Sequence, residues 1–188
     1  NALRASRLMT ELSAHQKKRI LKSMATELEA QKEAIQAANA LDIAAANANG
    51  LSAAMVDRLT LTDARFAAMA QGVRDVAALR DPVGKLLWKR RHPNGIVIEK
   101  RRVPLGVVAI IFESRPNVTA DAAVLCIKTS NAVILRGGKE AFNSNRAIAA
   151  ALAAGGARAG LPAHAVQLVN TTDRDAVRAL VQLEGLVD

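Results

Sequence analysis

Residues 104–117 read PLGVVAIIFESRPN and residues 131–140 read NAVILRGGKE, and the fold turns on these two stretches. Val107 to Phe112 is short, apolar, rich in β-branched residues and bounded by turn formers, the composition of a fully buried parallel strand. Asn117 to Thr129 is expected to form a helix carrying Val124, Leu125 and Ile127. Ser130-Asn131 then turns the chain into a second buried strand, Ala132 to Leu135. The alternation continues with a helix from about Asn143 to Arg158, a break at Gly160-Leu161-Pro162, a strand from Val166 to Val169 and a helix from Asp173 to Leu183. Strands and helices in this order predict an α/β fold: a parallel sheet with right-handed crossovers and helices on both faces.

Upstream the period is helical. Ser13 with Gln16 three residues later is a capping-box pattern, and Ile20, Leu21, Met24 and Leu28 behind it share one helix face. Helical character runs on through Ile35 and Ile43 and stops at Asn49-Gly50, a C-terminal glycine signal. A short helix is expected from Ser52. A longer one is expected from Thr62-Asp63, presenting Phe66, Met69, Val73 and Val76 and ending before Asp81-Pro82. Residues 1–80 thus form a helical region and residues 95–188 a βαβαβα unit. Between them lies a basic cluster, Lys85, Lys89, Arg90 and Arg91 followed by Lys100, Arg101 and Arg102. Strand alternation makes it a solvated hairpin rather than a nucleic-acid patch.

With 188 residues the chain has the size of one domain rather than two. No run approaches the roughly 18 apolar residues of a membrane span, no secretory leader opens the chain, and the lone Cys126 suits a reducing compartment. A cytoplasmic protein is expected. The formal charge of +9 calls for an anionic partner, nucleic acid or a phosphorylated small molecule, or else a well-solvated surface. Three Phe, one Trp and no Tyr leave few platforms for base stacking, which counts against a single-strand binder. The chain opens on Asn1 rather than Met and closes on Gly185-Leu186-Val187-Asp188, which reads like the approach to a further strand, so a fragment is expected.

Ligands of open α/β sheets bind beyond the carboxyl ends of the strands, so chemistry is sought there. At the first such edge, Glu113 to Asn117, Arg115 could fork onto a phosphate or carboxylate, and the Asn117 amide could donate to a carbonyl oxygen. The plain alternative is a capped helix whose Asn117 bonds only its own backbone. At the second edge, paired glycines in Arg136-Gly137-Gly138-Lys139 let the backbone approach a phosphate between two cations. The spacing matches neither a P-loop nor G-x-G-x-x-G, and a plain glycine turn remains the alternative. Cys126, among Val124, Leu125 and Ile127, reads as a buried structural thiol. His15, His92 and His164 stand at no metal-ligand spacing, and no metal is assigned.

Extended to their neighbours, these stretches carry a resemblance. Arg101 to Val108, Phe112 to Thr119 and Asn131 to Glu140 resemble the gamma-glutamyl phosphate reductases, a family of the aldehyde dehydrogenase superfamily. So do Ala38-Asn39-Ala40 with Asp42, Asn49-Gly50-Leu51-Ser52 and Asp57-Arg58-Leu59. The resemblance implies part of a Rossmann-like, aldehyde dehydrogenase-like cofactor domain. Its activity would be NADPH-dependent reduction of L-glutamyl 5-phosphate to L-glutamate 5-semialdehyde with phosphate release, in proline biosynthesis.

The resemblance also assigns roles. Asn117 would hold the oxyanion, Arg136, Gly137, Gly138 and Lys139 would contact the cofactor ribose, and the lysine would suit the 2′-phosphate of NADPH. The nucleophilic cysteine would lie in a catalytic domain after Asp188. Cys126 does not match it, so these residues alone are expected to be inactive. The full-length protein is expected to be a homo-oligomer acting on a small molecule, with neither nucleic acid nor membrane as partner. Ser114 and Ser130 stand where the family pattern has Ala and Gly. Two other readings stay open: a relative acting on another acyl group, and a basic module that binds nucleic acid without chemistry.

Overall fold

The computed structural model describes residues 1–188. Five helices come first: α1 (Ala2–Met9), α2 (Ala14–Ala30), α3 (Lys32–Ala48), α4 (Ala53–Leu59) and α5 (Asp63–Ala78). The capping box forms as expected. The Ser13 hydroxyl accepts from the Gln16 N–H at 3.2 Å, and the Gln16 side-chain oxygen accepts from the Ser13 N–H at 2.8 Å. Ile20, Leu21, Met24 and Leu28 are fully buried against α5 and the sheet-covering helices described below.

One expectation needs revision. The helical run from Ser13 to Asn49 is two helices, broken at Gln31, whose φ of −100° and ψ of 16° leave the helix. No glycine or proline marks the break. Tertiary packing makes it: the bend turns Asn39, Asp42 and Ala46 of α3 inward while α2 keeps its own face in the core.

The sheet follows. Strands β3 (Val107–Ile111), β4 (Ala132–Arg136) and β5 (Val166–Leu168) are parallel in the order β3-β4-β5. The crossovers are α6 (Pro116–Lys128) and α7 (Phe142–Arg158), and α8 (Asp175–Val181) follows β5. Successive crossovers of one hand in one direction place α6 and α7 on the same face. There they pack together and receive α2, while α1 lies along β3 and β4. The central strand β4 is nearly all buried. In the run from Val107, expected to be fully buried, only Val107 is fully buried within these residues and Ile111 is 48% exposed, while the Asp188 N–H donates to the Val107 carbonyl at 2.9 Å.

Three helices end in the same six-residue closure, in which the N–H of the second residue past the cap returns to the carbonyl five residues before it. Leu51 N–H reaches Ala46 O at 3.0 Å, Asn131 N–H reaches Cys126 O at 2.9 Å and Leu161 N–H reaches Gly156 O at 2.9 Å. The pivot must sit at positive φ. It is Gly50 at 68°, Gly160 at 92°, but Ser130 at 60°. A left-handed serine costs about 1 kcal/mol. Its hydroxyl accepts from Lys17 Nζ at 2.8 Å, and the buried ammonium also pairs with Asp81 at 2.7 Å.

Between the two regions β1 (Leu86–Arg91) and β2 (Val97–Arg101) form an antiparallel hairpin. It is solvated as expected, with Glu99 pairing Lys89 at 2.9 Å and Arg101 at 2.8 Å. Alternation does not segregate its faces, because every residue of both strands is exposed, Trp88 included. No helix is long and apolar enough to cross a membrane.

Candidate functional site

The turns after β3 and β4 meet at the carboxyl edge of the sheet. After β4 the chain passes through Gly137 and Gly138 into a 3₁₀ turn, Lys139–Ala141, that leads into α7. A β-carbon on Gly137 would collide with the Asn145 amide and stand 3.1 Å from the Phe112 ring. One on Gly138 would stand 2.9 Å from both the Ser114 hydroxyl and a Glu140 carboxylate oxygen. The paired glycines therefore let this turn lie against the one after β3. The Ser114 hydroxyl donates to Glu140 Oε2 at 2.7 Å across that contact. Burial acts to raise the Glu140 carboxyl. Hydrogen bonds from Ser114 and its own N–H, with Lys139 and Arg136 nearby, outweigh it and hold the pKa below the usual glutamate range.

The two cations of this turn behave differently. Arg136 is buried, and its guanidinium donates to the carbonyls of Gly137 at 2.7 Å and Thr172 at 3.0 Å, tying β4 to the loop after β5. Its Nε is buried without a partner. Lys139 is exposed at the rim between two clefts. One, of about 430 Å³, is lined by Arg136, Gly138, Lys139, Thr172, Arg174 and Arg178 among others. The other, of about 640 Å³, opens toward α3 and α4. Of the four cations around this cleft, Arg136 is bonded to carbonyls and Arg178 pairs with Asp175 at 3.3 Å, which leaves Lys139 and Arg174 as the donors that fit the phosphates of a dinucleotide.

Behind this turn stands a brace that motif reading missed. Asp42 of α3 is buried and accepts from the Asn143 N–H at 3.1 Å, the Asn143 side chain at 2.8 Å, the Ser144 N–H at 2.8 Å and the Ser144 hydroxyl at 2.6 Å. A carboxylate from a distant helix thereby caps α7. Asn39 supports it by donating to Ser144 Oγ at 3.0 Å and to Leu59 O at 2.9 Å, and by accepting from the Leu61 N–H at 2.8 Å. The available signal was two polar residues, Asn39 and Asp42, on the stripe Ile35, Asn39, Asp42, Ala46 that helical spacing assigns to the core.

The turn after β3 is open by contrast. Arg115 caps α6 with no side-chain bond, Pro116 occupies the first turn, and the Arg115 side chain is exposed. Asn117 is half-buried and donates through Nδ2 to Asp121 Oδ2 at 3.0 Å. An amide has two N–H donors, so one stays available to a carbonyl oxygen. Burial pushes the Asp121 carboxyl up, and the Asn117 bond only partly opposes it. Both residues line a cleft of about 420 Å³ between α4, α5 and α6, with Arg58, Arg65 and Arg115. The structure thus separates the candidates by side: Arg115 and Asn117 face this cleft, while Gly138 and Lys139 face the clefts beyond Glu140. Cys126 is buried in α6 with its thiol pushed up to about 11 by burial, as a structural thiol should be.

Comparison with known proteins adds a history to this geometry. The aldehyde dehydrogenase family profile matches residues 1–186. The chain is 54% identical over 187 residues to a gamma-glutamyl phosphate reductase of Magnetococcus marinus, covering 100% of this chain and 44% of that protein. The solved gamma-glutamyl phosphate reductase of Thermotoga maritima superposes with a TM-score of 0.95 at 33% identity, over 99% of this chain and 45% of its own. The one from Saccharomyces cerevisiae gives 0.91 at 36% identity, over 100% of this chain and 48% of its own. The chain therefore spans a little under half the length of the relatives it matches.

Proposed function

The chain belongs to the aldehyde dehydrogenase family, and from that premise we propose that it is the cofactor-binding part of a reductase that converts L-glutamyl 5-phosphate to L-glutamate 5-semialdehyde, releasing phosphate, with NADPH as reductant. The observation that carries this reading is the 54% identity to the Magnetococcus marinus reductase along the whole chain.

The division of labour follows from the site. When bound, the nicotinamide cofactor supplies the hydride. Lys139 lies at the cleft rim where a phosphorylated ribose would meet a cation, and this charge favours NADPH over NADH. Gly137 and Gly138 keep the turn low enough to lie against Ser114, and Arg136 fixes the loop after β5. The unused N–H of Asn117 is the donor for the substrate carbonyl, where negative charge develops when the acyl group is attacked. Arg115 binds the substrate's anionic end. The nucleophilic cysteine belongs to a catalytic domain outside these residues, since Cys126 is buried and its thiol stays protonated at neutral pH. The reading carries with it a cytoplasmic location and self-association of the whole enzyme.

The test is NADPH oxidation by the protein at its natural length, supplied with glutamyl phosphate. Turnover dependent on the phosphate and preferring NADPH to NADH is expected. Failure to oxidise NADPH with this substrate would overturn the reading.

A further inference from the structure

We propose that Arg58 and Arg115 form a two-armed clamp for the phosphoryl group of an acyl phosphate, in the cleft between α4, α5 and the start of α6. The proposal rests on the acyl-phosphate reading above and adds Arg58, which that reading leaves without a role.

A charge inventory of the cleft carries the inference. Three arginines and two aspartates line it. Arg65 is committed: its guanidinium forks onto the Asp57 carboxylate at 2.9 and 3.1 Å and also reaches the carbonyls of Asp57 and Thr60. Asp57 and Arg65 therefore cancel. Asp121 is the remaining carboxylate, and one of its oxygens is already occupied by the Asn117 amide. No ion pair engages Arg58 or Arg115.

These two guanidinium groups reach the cleft from different elements, α4 and the β3–α6 turn. They also share a smaller hollow beside it with Glu113 and Ser114. Glu113 is the one other carboxylate at this neck, and it is not paired to either arginine. Two unpaired cations on one concavity repel each other until an anion lies between them. A phosphoryl dianion offers three oxygens to two planar forks, the match that guanidinium groups make best.

Position supports the same ligand. Asn117 lines the cleft that the two arginines border. In an acyl phosphate the phosphorus and the carbonyl carbon are joined through one bridging oxygen. A phosphoryl group held by the clamp therefore brings its carbonyl toward the available Asn117 N–H. The stretch Asp57-Arg58-Leu59 also acquires a rationale: Asp57 steadies Arg65, Leu59 is buried, and Arg58 is left facing the cleft.

The test uses inorganic phosphate as probe, titrated calorimetrically into the protein at its natural length, at low ionic strength and without cofactor or acyl substrate. Saturable binding is expected, weakened about tenfold or more in Arg58→Gln and in Arg115→Gln, the loss of one charge-assisted fork. Arg90→Gln, on the exposed hairpin, should leave phosphate affinity unchanged, and circular dichroism should show each variant folded. L-Glutamate at matched ionic strength should not bind comparably. The clamp is overturned by absence of phosphate binding, by an Arg58→Gln protein that binds as the parent does, by loss in Arg90→Gln instead, or by glutamate binding that Arg58→Gln abolishes. Because the titration contains no NADPH and no turnover, its failure leaves the reductase reading standing, and failure of the reductase assay leaves the titration interpretable.

Discussion

The turns after β3 and β4 occupy equivalent places in the sheet and are built in opposite ways. After β4, Asp42 meets two backbone N–H groups at the start of α7, Arg136 ties the strand to the next loop, and glycines close the remaining space. After β3, no side chain caps α6 and the Arg115 guanidinium is unpaired. One turn spends its polar groups on its own shape. The other leaves them for something else to use. A site needs both, since free donors recognise a ligand only if the wall beside them does not move.

The largest expected effect strikes the braced turn. Asp42→Ala removes a buried carboxylate and strands four donors at the start of α7, and should cost about 4 kcal/mol, read by urea unfolding. If the loss is under about 1 kcal/mol, the contrast between the turns collapses. Gly137→Ala comes next, at about 2 to 3 kcal/mol, because the new methyl must displace Asn145 or Phe112.

Ser114→Ala cuts the one side-chain bond between the turns and should cost about 1 kcal/mol. It also carries a pH signature. A carboxyl held below its ordinary value contributes stability that is present above that value, 4.5 for Glu140, and is lost as pH falls through the folded-state pKa. Removing the Ser114 hydroxyl should shrink that acid-side loss, as seen in stability measured from pH 6 down to pH 3 (about one to two units either side of the ordinary value).

Asn117→Ala, in the open turn, should move stability by less than about 0.5 kcal/mol while abolishing most turnover of the natural-length enzyme. A large stability loss would mean that this turn is as braced as its neighbour. The smallest effect sharpens where the openness stops. Cys126 lies further along α6, and with its thiol pushed up to about 11 it should resist iodoacetamide at neutral pH in the folded chain and react readily once unfolded.

Much of this contrast was legible in the sequence. The alternation of apolar runs and glycine signals located all three parallel strands, and the capping box at Ser13 and the stop at Asn49-Gly50 report local rules that tertiary contacts did not override. What escaped was long-range. The bend at Gln31 has no breaker residue, because packing of α3 on α7 imposes it. At Arg136 sequence placed a cation near a ligand, and the structure turns that cation onto the Thr172 carbonyl, a partner 36 residues away. Ser130 is the converse. A serine stands where the family pattern has glycine, and its hydroxyl partners a buried lysine 113 residues away.

The Asp42 brace also orders events in time. Its carboxylate emerges about a hundred residues before the Asn143 and Ser144 groups that it holds. During synthesis α3 therefore waits with a solvated acid on its inward stripe, and the turn after β4 stays unlatched until the first turn of α7 has been made. Closing a loop of that length is slow relative to forming a helix. The nascent helical half thus depends on a later segment, and the turn after β4 acquires its shape only once the start of α7 is in place.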